Sequence, residues 1–451
     1  LTKTSKDGIV TQWELHTIRV REARVGPGAE RDELKVTNSV GIIADDYTGA
    51  LMVACYLEAA GIYAPLVFHP DAEVAESSVV VAGTRARTIE AATAVSNVVE
   101  FLDGSAMGGS SRFVYKPSAS FDSTPSGNIG PVADCLAQRT GWAPTFMAAG
   151  FPEVAITTHL GYLFYRGKIV TASIKRFDPL TPMPDPDLVR FLSQQTDRGV
   201  ELVSHLDMCR GRRFVENKIS ALSSKGAGHI FFDVSDEADL RLVADLAARS
   251  KSVFIASDPV AVAFAKNIVG NSAIARAAPR HVSGPAAVLV GTVAPVIQRQ
   301  LAAFSEVHPV LALDLTQSKN PEAIASDAME WAAEHVGSRP FAIATSRDQS
   351  DVERAHAAYG SIGAARRAEE VLGILAREFR ARGIKRFLVA GGETSGSVVS
   401  ALGIKAVRGF PEGPLGTGFC VTTGEDPISL FLKPGKFGSD DVLLEALDHM
   451  R

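Results

Sequence analysis

The alternation of short apolar runs with segments of helical period constrains this chain more than any other feature. VGIIA at 40–44 reads as a buried strand. The loop Asp45-Asp46-Tyr47-Thr48-Gly49-Ala50 follows it, then a helical pattern through LMVACYLEAAG with Gly61 as the stop. APLVFH and SVVVAGT read as the next strands, IEAATAVSNVVEFL as a helix, and RFVYK as a strand entering the polar loop SASFDSTPSGN. Strands alternating with helices predict an α/β fold whose mostly parallel sheet is covered on both faces. The rhythm breaks at 151–187, where a GYLFY run and the turn-rich DPLTPMPDPD occur. Repeated prolines deny donors to a central sheet, so this stretch reads as an active-site excursion. LVRFLSQQT, GHIFFDVS, DLRLVADLAARS and KSVFIAS restore the pattern.

A length of 451 residues exceeds the size at which one core usually stops growing. A boundary falls near 272–284, where SAIARAAPRHVSGP mixes small, basic and breaker residues. A second α/β pattern follows it, with strands AAVLVG, VLALDL, FAIATS, KRFLVA and SLFLK, an amphipathic segment at 364–382 and a closing helix around DVLLEALDHM. The expectation is two α/β domains with mostly parallel sheets and an interdomain active-site cleft: a peripheral extension at 1–37, a first domain at 38–275 and a second at 284–451. A net charge of -5 with interspersed signs argues against a nucleic-acid footprint. No apolar run is long enough to span a bilayer, and the first residues are polar and charged. The four cysteines lie far apart with no CxxC pair, so reduced thiols and a cytoplasmic setting are expected.

Three constellations carry chemistry. Asp45 and Asp46 follow a strand, where open α/β sheets hold ligands; Thr48 can cap the helix and Gly49 permits close approach. An ordinary Asx cap would share this pattern. Lys116 precedes Asp122-Ser123-Thr124 and Gly127-Asn128: an ammonium for a carboxylate or phosphate, then oxygens for sugar hydroxyls. A polar solvent loop would look similar. Gly391-Gly392-Glu393-Thr394-Ser395-Gly396 follows a strand and opens a helix, so its backbone donors suit phosphate, although neither a P-loop nor a complete dinucleotide fingerprint is present. Lys433-Pro434-Gly435-Lys436-Phe437-Gly438 and Gly291-Thr292 are further loops of this kind. His159 reads equally as a substrate contact or a packed histidine. No HExxH or compact Cys/His cluster occurs.

In their order and spacing, these three motifs resemble the four-carbon acid sugar kinase family, from Val40 to the C-terminus. Arg87-Thr88-Ile89, the frame from Ser120 to Val132, and Pro179-Leu180-Thr181-Pro182-Met183 look most like its 3-oxo-tetronate kinase branch. The chain departs from the branch pattern at Pro117-Ser118-Ala119, Val154-Ala155-Ile156, Ser257-Asp258 and Pro434-Gly435-Lys436. The resemblance implies acid-sugar recognition in the first domain, ATP binding in the second, and phosphorylation of the C4 hydroxyl. It makes Asp45, Asp46 and Asp122 the acidic candidates for orienting or deprotonating that hydroxyl. Arg87 and Lys116 become candidates for the substrate carboxylate, with Thr48, Ser123, Thr124, Asn128 and His159 as further contacts. Gly291, Thr292, Gly391, Gly392, Glu393, Thr394, Gly435 and Lys436 form the nucleotide side. Mg²⁺ is required by the chemistry, with its ligands unassigned. D-threonate, D-erythronate and 3-oxo-isoapionate remain alternative substrates, and a non-catalytic sugar-acid binding protein is the alternative to an enzyme. The incomplete fingerprint argues against a dinucleotide-dependent oxidoreductase. A homodimer stays open.

Overall fold

A computed structural model of the chain describes residues 39–178, 180–411, 418–435 and 438–451. The extension expected at 1–37 and the candidate Lys436 lie outside these residues.

The apolar runs form central strands. All five residues of Val40–Ala44 are buried, and the strand pairs in parallel with Val79–Gly83 on one side and Arg112–Lys116 on the other. Ile42 and Ile43 enter different core clusters, as the two-residue repeat of a strand covered on both faces requires. Asp46 caps the following helix, Tyr47–Ala59, by accepting the Gly49 N–H at 3.1 Å. Asp236 caps Glu237–Arg249 in the same manner, and Asp348 caps Gln349–Ala381. That last element breaks at Gly360 (φ 71°), so its second segment contains the amphipathic stretch read at 364–382.

The first half contributes parallel strands in the order Pro65–Val67, Val79–Gly83, Val40–Ala44, Arg112–Lys116, Phe254–Ala256, Thr145–Ala148, His229–Phe232 and Val200–Val203. The second half runs Val310–Ala312, Phe341–Ala344, Ala286–Val290, Arg386–Ala390 and Ser429–Lys433 in parallel. Phe419–Thr422 and Ala406–Gly409 then continue it antiparallel. Residues 273–285, between the halves, carry no helix or strand.

The two sheets are not separate. Ala406–Gly409 pairs antiparallel with Pro65–Val67, which joins the strands named above into one sheet of 15. Ile42, Leu66, Val407 and Leu430 belong to one core cluster that crosses this seam. Beside it, Arg408 donates to Glu58 through Nε at 2.9 Å and Nη2 at 2.8 Å, a bidentate pair largely removed from solvent. The excursion read at 151–187 forms its own antiparallel sheet from Ile156–His159, Tyr162–Tyr165 and Lys168–Ile169. Among the described residues no helix is long and apolar enough to cross a membrane, and all four cysteines are free thiols.

Candidate active site

Loops leaving the strands of both halves line one cavity of about 520 Å³, within the range of small-molecule sites. The first half supplies Asp46, Thr48, Arg85, Arg87, Lys116, Asp122 and Asp258, and the excursion adds Tyr165, Lys175, Asp178 and Leu180. The second half supplies Gly291, Thr292, Glu369, Gly391, Gly392, Glu393, Thr394 and Gly435.

On the acid side, charges alternate at contact distance. Arg87 grips Asp45 with Nε at 2.8 Å and Nη2 at 2.7 Å, and Nη2 also donates to Asp46 at 2.8 Å. Lys116, at the end of its strand and 1 % exposed, places Nζ 2.6 Å from Asp258 and 3.9 Å from Asp46. Gly49 is required here by close approach, because a Cβ at this position would fall on the Lys116 ammonium and the Asp46 carboxylate. Asp122 accepts from Ser120 Oγ at 2.7 Å and pairs with the Lys175 ammonium.

Burial opposes a charge on Asp46. The Arg87 and Lys116 charges, the Thr48 hydroxyl at 2.6 Å and the Gly49 N–H outweigh it, holding the carboxyl down at about 2. Such an anion is a weak proton acceptor and a strong hydrogen-bond acceptor. Burial likewise opposes a charge on Lys116, but Asp258 and Asp46 push its pKa above the usual lysine value. A carboxyl with a depressed folded-state pKa stabilises the fold above its unfolded value and loses that contribution as pH falls. The Asp46 contribution is therefore complete above its ordinary 3.8 and disappears toward about 2. Acid titration of stability should show a shallower limb in Asp46→Asn than in the unaltered protein; identical limbs would remove Asp46 from this linkage.

The nucleotide-side loops converge just as closely. A Cβ on Gly291 would fall on Thr394 Oγ1, and one on Gly435 would stand 2.6 Å from Thr292 Oγ1. Gly392–Ala401 begins at this junction and presents the free N–H groups of a helix amino end. Lys433 is fully buried at the end of its strand and donates to the Pro434 carbonyl at 3.0 Å. Burial pulls its pKa down to about 8.

Five sequence candidates stand away from the cavity lining. Asp45 is turned into the Arg87 pair, which makes it the arginine's anchor. Ser123 and Thr124 are tied to Gln195, whose Nε2 donates to Ser123 Oγ at 3.0 Å and to the Thr124 carbonyl at 2.7 Å. Asn128 donates to the Ala86 carbonyl at 2.6 Å and so fixes the turn between Arg85 and Arg87. His159 pairs with Ser235 at 3.1 Å and lies beside His205. Asp45 and Asn128 thus brace Arg87 and its turn from behind the lining. Sequence reasoning passed over Arg85, Lys175 and Glu369, which do line the cavity, and named Asp258, which also lines it, only as a departure from the branch pattern. Arg85, two residues before Arg87 in the same loop, carried the most accessible signal.

A family model described as "Sugar-binding N-terminal domain" matches residues 40–264, and one described as "Nucleotide-binding C-terminal domain" matches 287–443. Together with a cavity shared by both halves, they define a two-lobed α/β protein of sugar-binding and nucleotide-binding type. A 3-oxo-tetronate kinase of Methylobacterium radiotolerans is 32% identical over 421 residues, 91% of this chain and 99% of the relative. A 3-oxo-tetronate kinase of Cupriavidus necator is 33% identical over 419 residues, covering 90% and 96%. A solved structure from Salmonella typhimurium LT2 superposes with a TM-score of 0.78 at 25% identity, covering 92% of this chain and all of that one. The chain belongs to the four-carbon acid sugar kinase family, whose members transfer phosphate from ATP to a four-carbon acid sugar.

Proposed function

We propose that this kinase transfers the ATP γ-phosphoryl group to the C4 hydroxyl of a 3-oxo-tetronate, giving the 4-phosphate and ADP. The observation that carries the reading is the division of one cavity: carboxylates and cations face it from the acid side, and glycine loops with a helix amino end face it from the nucleotide side. The names of the relatives supply the substrate class.

In this reading Arg87, Lys116 and Lys175 draw in the acid's carboxylate, while Asp46 and Thr48 hold its hydroxyls. Asp122 orients the C4 hydroxyl and takes its proton. Gly392, Glu393, Thr394 and Gly435 seat the phosphates through backbone N–H groups, with the Thr292 and Thr394 hydroxyls beside them. Gly291 and Gly391, whose N–H groups bond the Ala390 and Lys433 carbonyls, leave room for the ligand. The catalytic gain comes from alignment and electrostatics within a closed site.

Mg²⁺ binds at ATP sites through one or two carboxylates, phosphate oxygens and water. The described residues contain no cluster of three acidic, His or Cys ligands, and Glu393 on the nucleotide side is already paired with Arg85 at 2.7 Å. Phosphate oxygens and water would therefore be the main ligands of a Mg²⁺ ion that offsets the triphosphate charge.

A coupled ADP-release assay across 3-oxo-tetronates, D-threonate, D-erythronate and 3-oxo-isoapionate, with ³¹P NMR of the product, tests the reading. A phosphomonoester on C4 of a 3-oxo-tetronate is expected; preferred turnover of another acid would reassign the substrate. Acid binding without ADP formation would make the chain a binding protein. Gly291→Ala is expected to raise the ATP KM at least about tenfold, since the added methyl displaces Thr394. Its acid KM should stay unchanged, and a matched rise in both would argue against a nucleotide role.

A further inference from the structure

Arg85 and Arg87 leave the same loop in different directions. Arg87 closes on Asp45 and Asp46 within its own half. Arg85 crosses the cavity: its Nη2 donates to Glu369 at 2.9 Å and to Glu393 at 2.7 Å, both in the nucleotide half. Its aliphatic part lies along Gly396, where an added Cβ would stand 3.1 Å from Arg85 Cδ. Glu393 is in the first turn of Gly392–Ala401, so the guanidinium ends beside the helix terminus that faces the cavity.

As a clasp between halves this contact is weak. The Arg85 and Glu393 side chains are 37% and 45% exposed, and ion pairs that open to water contribute little. Its placement says more than its strength. Two carboxylates next to an anion-receiving helix end repel a triphosphate, and a guanidinium fixed between them offsets part of that charge. Both hydrogen bonds use Nη2, so the fork keeps further N–H donors for a phosphoryl oxygen.

The loop is also rigid. Thr84 N–H bonds the Ala44 carbonyl at 2.9 Å, Asn128 holds the Ala86 carbonyl, and Arg87 N–H bonds the Asp45 carbonyl at 3.1 Å. Four residues therefore carry an acid-side cation and a cation aimed at the nucleotide side, with little play between them.

We propose that Arg85 is the arginine supplied by the acid half to the phosphoryl group in transfer, with Glu369 and Glu393 as its positioning carboxylates. This role rests on the kinase reading above. The C4 oxygen forms its bond to the γ-phosphorus, the bond from that phosphorus to the ADP oxygen breaks, and the hydroxyl proton passes to Asp122. Arg85 N–H groups bind the equatorial oxygens, whose charge is fully spread only in the transition state.

The test compares Arg85→Ala and Arg85→Lys with the unaltered protein by steady-state kinetics, ADP titration calorimetry and thermal melts. Arg85→Ala should lower kcat roughly 100- to 1000-fold, with ADP affinity and acid KM held within about threefold. Arg85→Lys, which keeps the charge without the fork, should remain at least about tenfold slow. Added guanidinium ion should restore part of the turnover of Arg85→Ala and none of that of Arg85→Lys. Full activity in Arg85→Lys, or a kcat loss matched by lost ADP affinity and no rescue, would reduce Arg85 to a clasp and overturn the role. Unchanged kcat in Arg85→Ala would overturn it as well, leaving the kinase reading intact. A wild-type chain without ATP-dependent turnover of any acid would overturn both.

Discussion

Asp122→Asn is expected to lower kcat by about 100- to 10,000-fold at saturating acid and ATP, the range associated with losing a positioned acid–base group. Of the three acidic candidates, Asp45 is turned into the Arg87 pair and Asp46 caps a helix and is held at about 2. Asp122 lines the cavity and is fixed by Ser120 on one oxygen and Lys175 on the other. The Asn side chain preserves the volume and one acceptor and removes the charge. It also leaves the Lys175 ammonium facing a neutral group, so the acid KM should move less than kcat. Thermal melts separate this from a folding defect. Normal turnover in Asp122→Asn would make the assignment wrong.

Lys116→Met carries the second large effect, on the fold as well as on turnover. Its ammonium is buried between Asp258 and Asp46. Breaking a buried pair by removing one partner typically costs about 3–5 kcal/mol, because the other charge stays behind unpaired. Urea denaturation should show a loss of this size, and turnover should fall below detection even where the variant is folded. The pH dependence has a definite sign. Since the folded state raises the lysine pKa above 10.5, the stabilisation is complete below that value and is lost only as pH rises through the folded-state pKa. A Met variant as stable as the unaltered protein would show that the Asp258 and Asp46 charges are neutralised by other means.

Much of the architecture was legible in the chain because local rules produce it. VGIIA is too short and too uniformly apolar for an amphipathic helix, and the capping Asp46 announces where the next helix starts. The same rules exposed the loops at strand ends and, through GGETSG, a helix amino end that faces the cavity. The excursion was readable from its prolines. Individual roles were less legible. Asn128 and Ser123 look like ligand contacts in a polar loop, yet their partners, the Ala86 carbonyl and Gln195, come from distant segments. Arg85 carries no local mark that separates it from Arg87.

The α/β rhythm and the families of polar and glycine loops follow from the sequence, since each depends on residues close in the chain. Tertiary structure alone decided that Ala406–Gly409 pairs with Pro65–Val67 and fuses the halves into one sheet, and that Arg85 reaches Glu369 and Glu393, 284 and 308 residues away. Pairing across such separations depends on strand register and side-chain direction, which exist only in the folded chain, where one core cluster spans both halves.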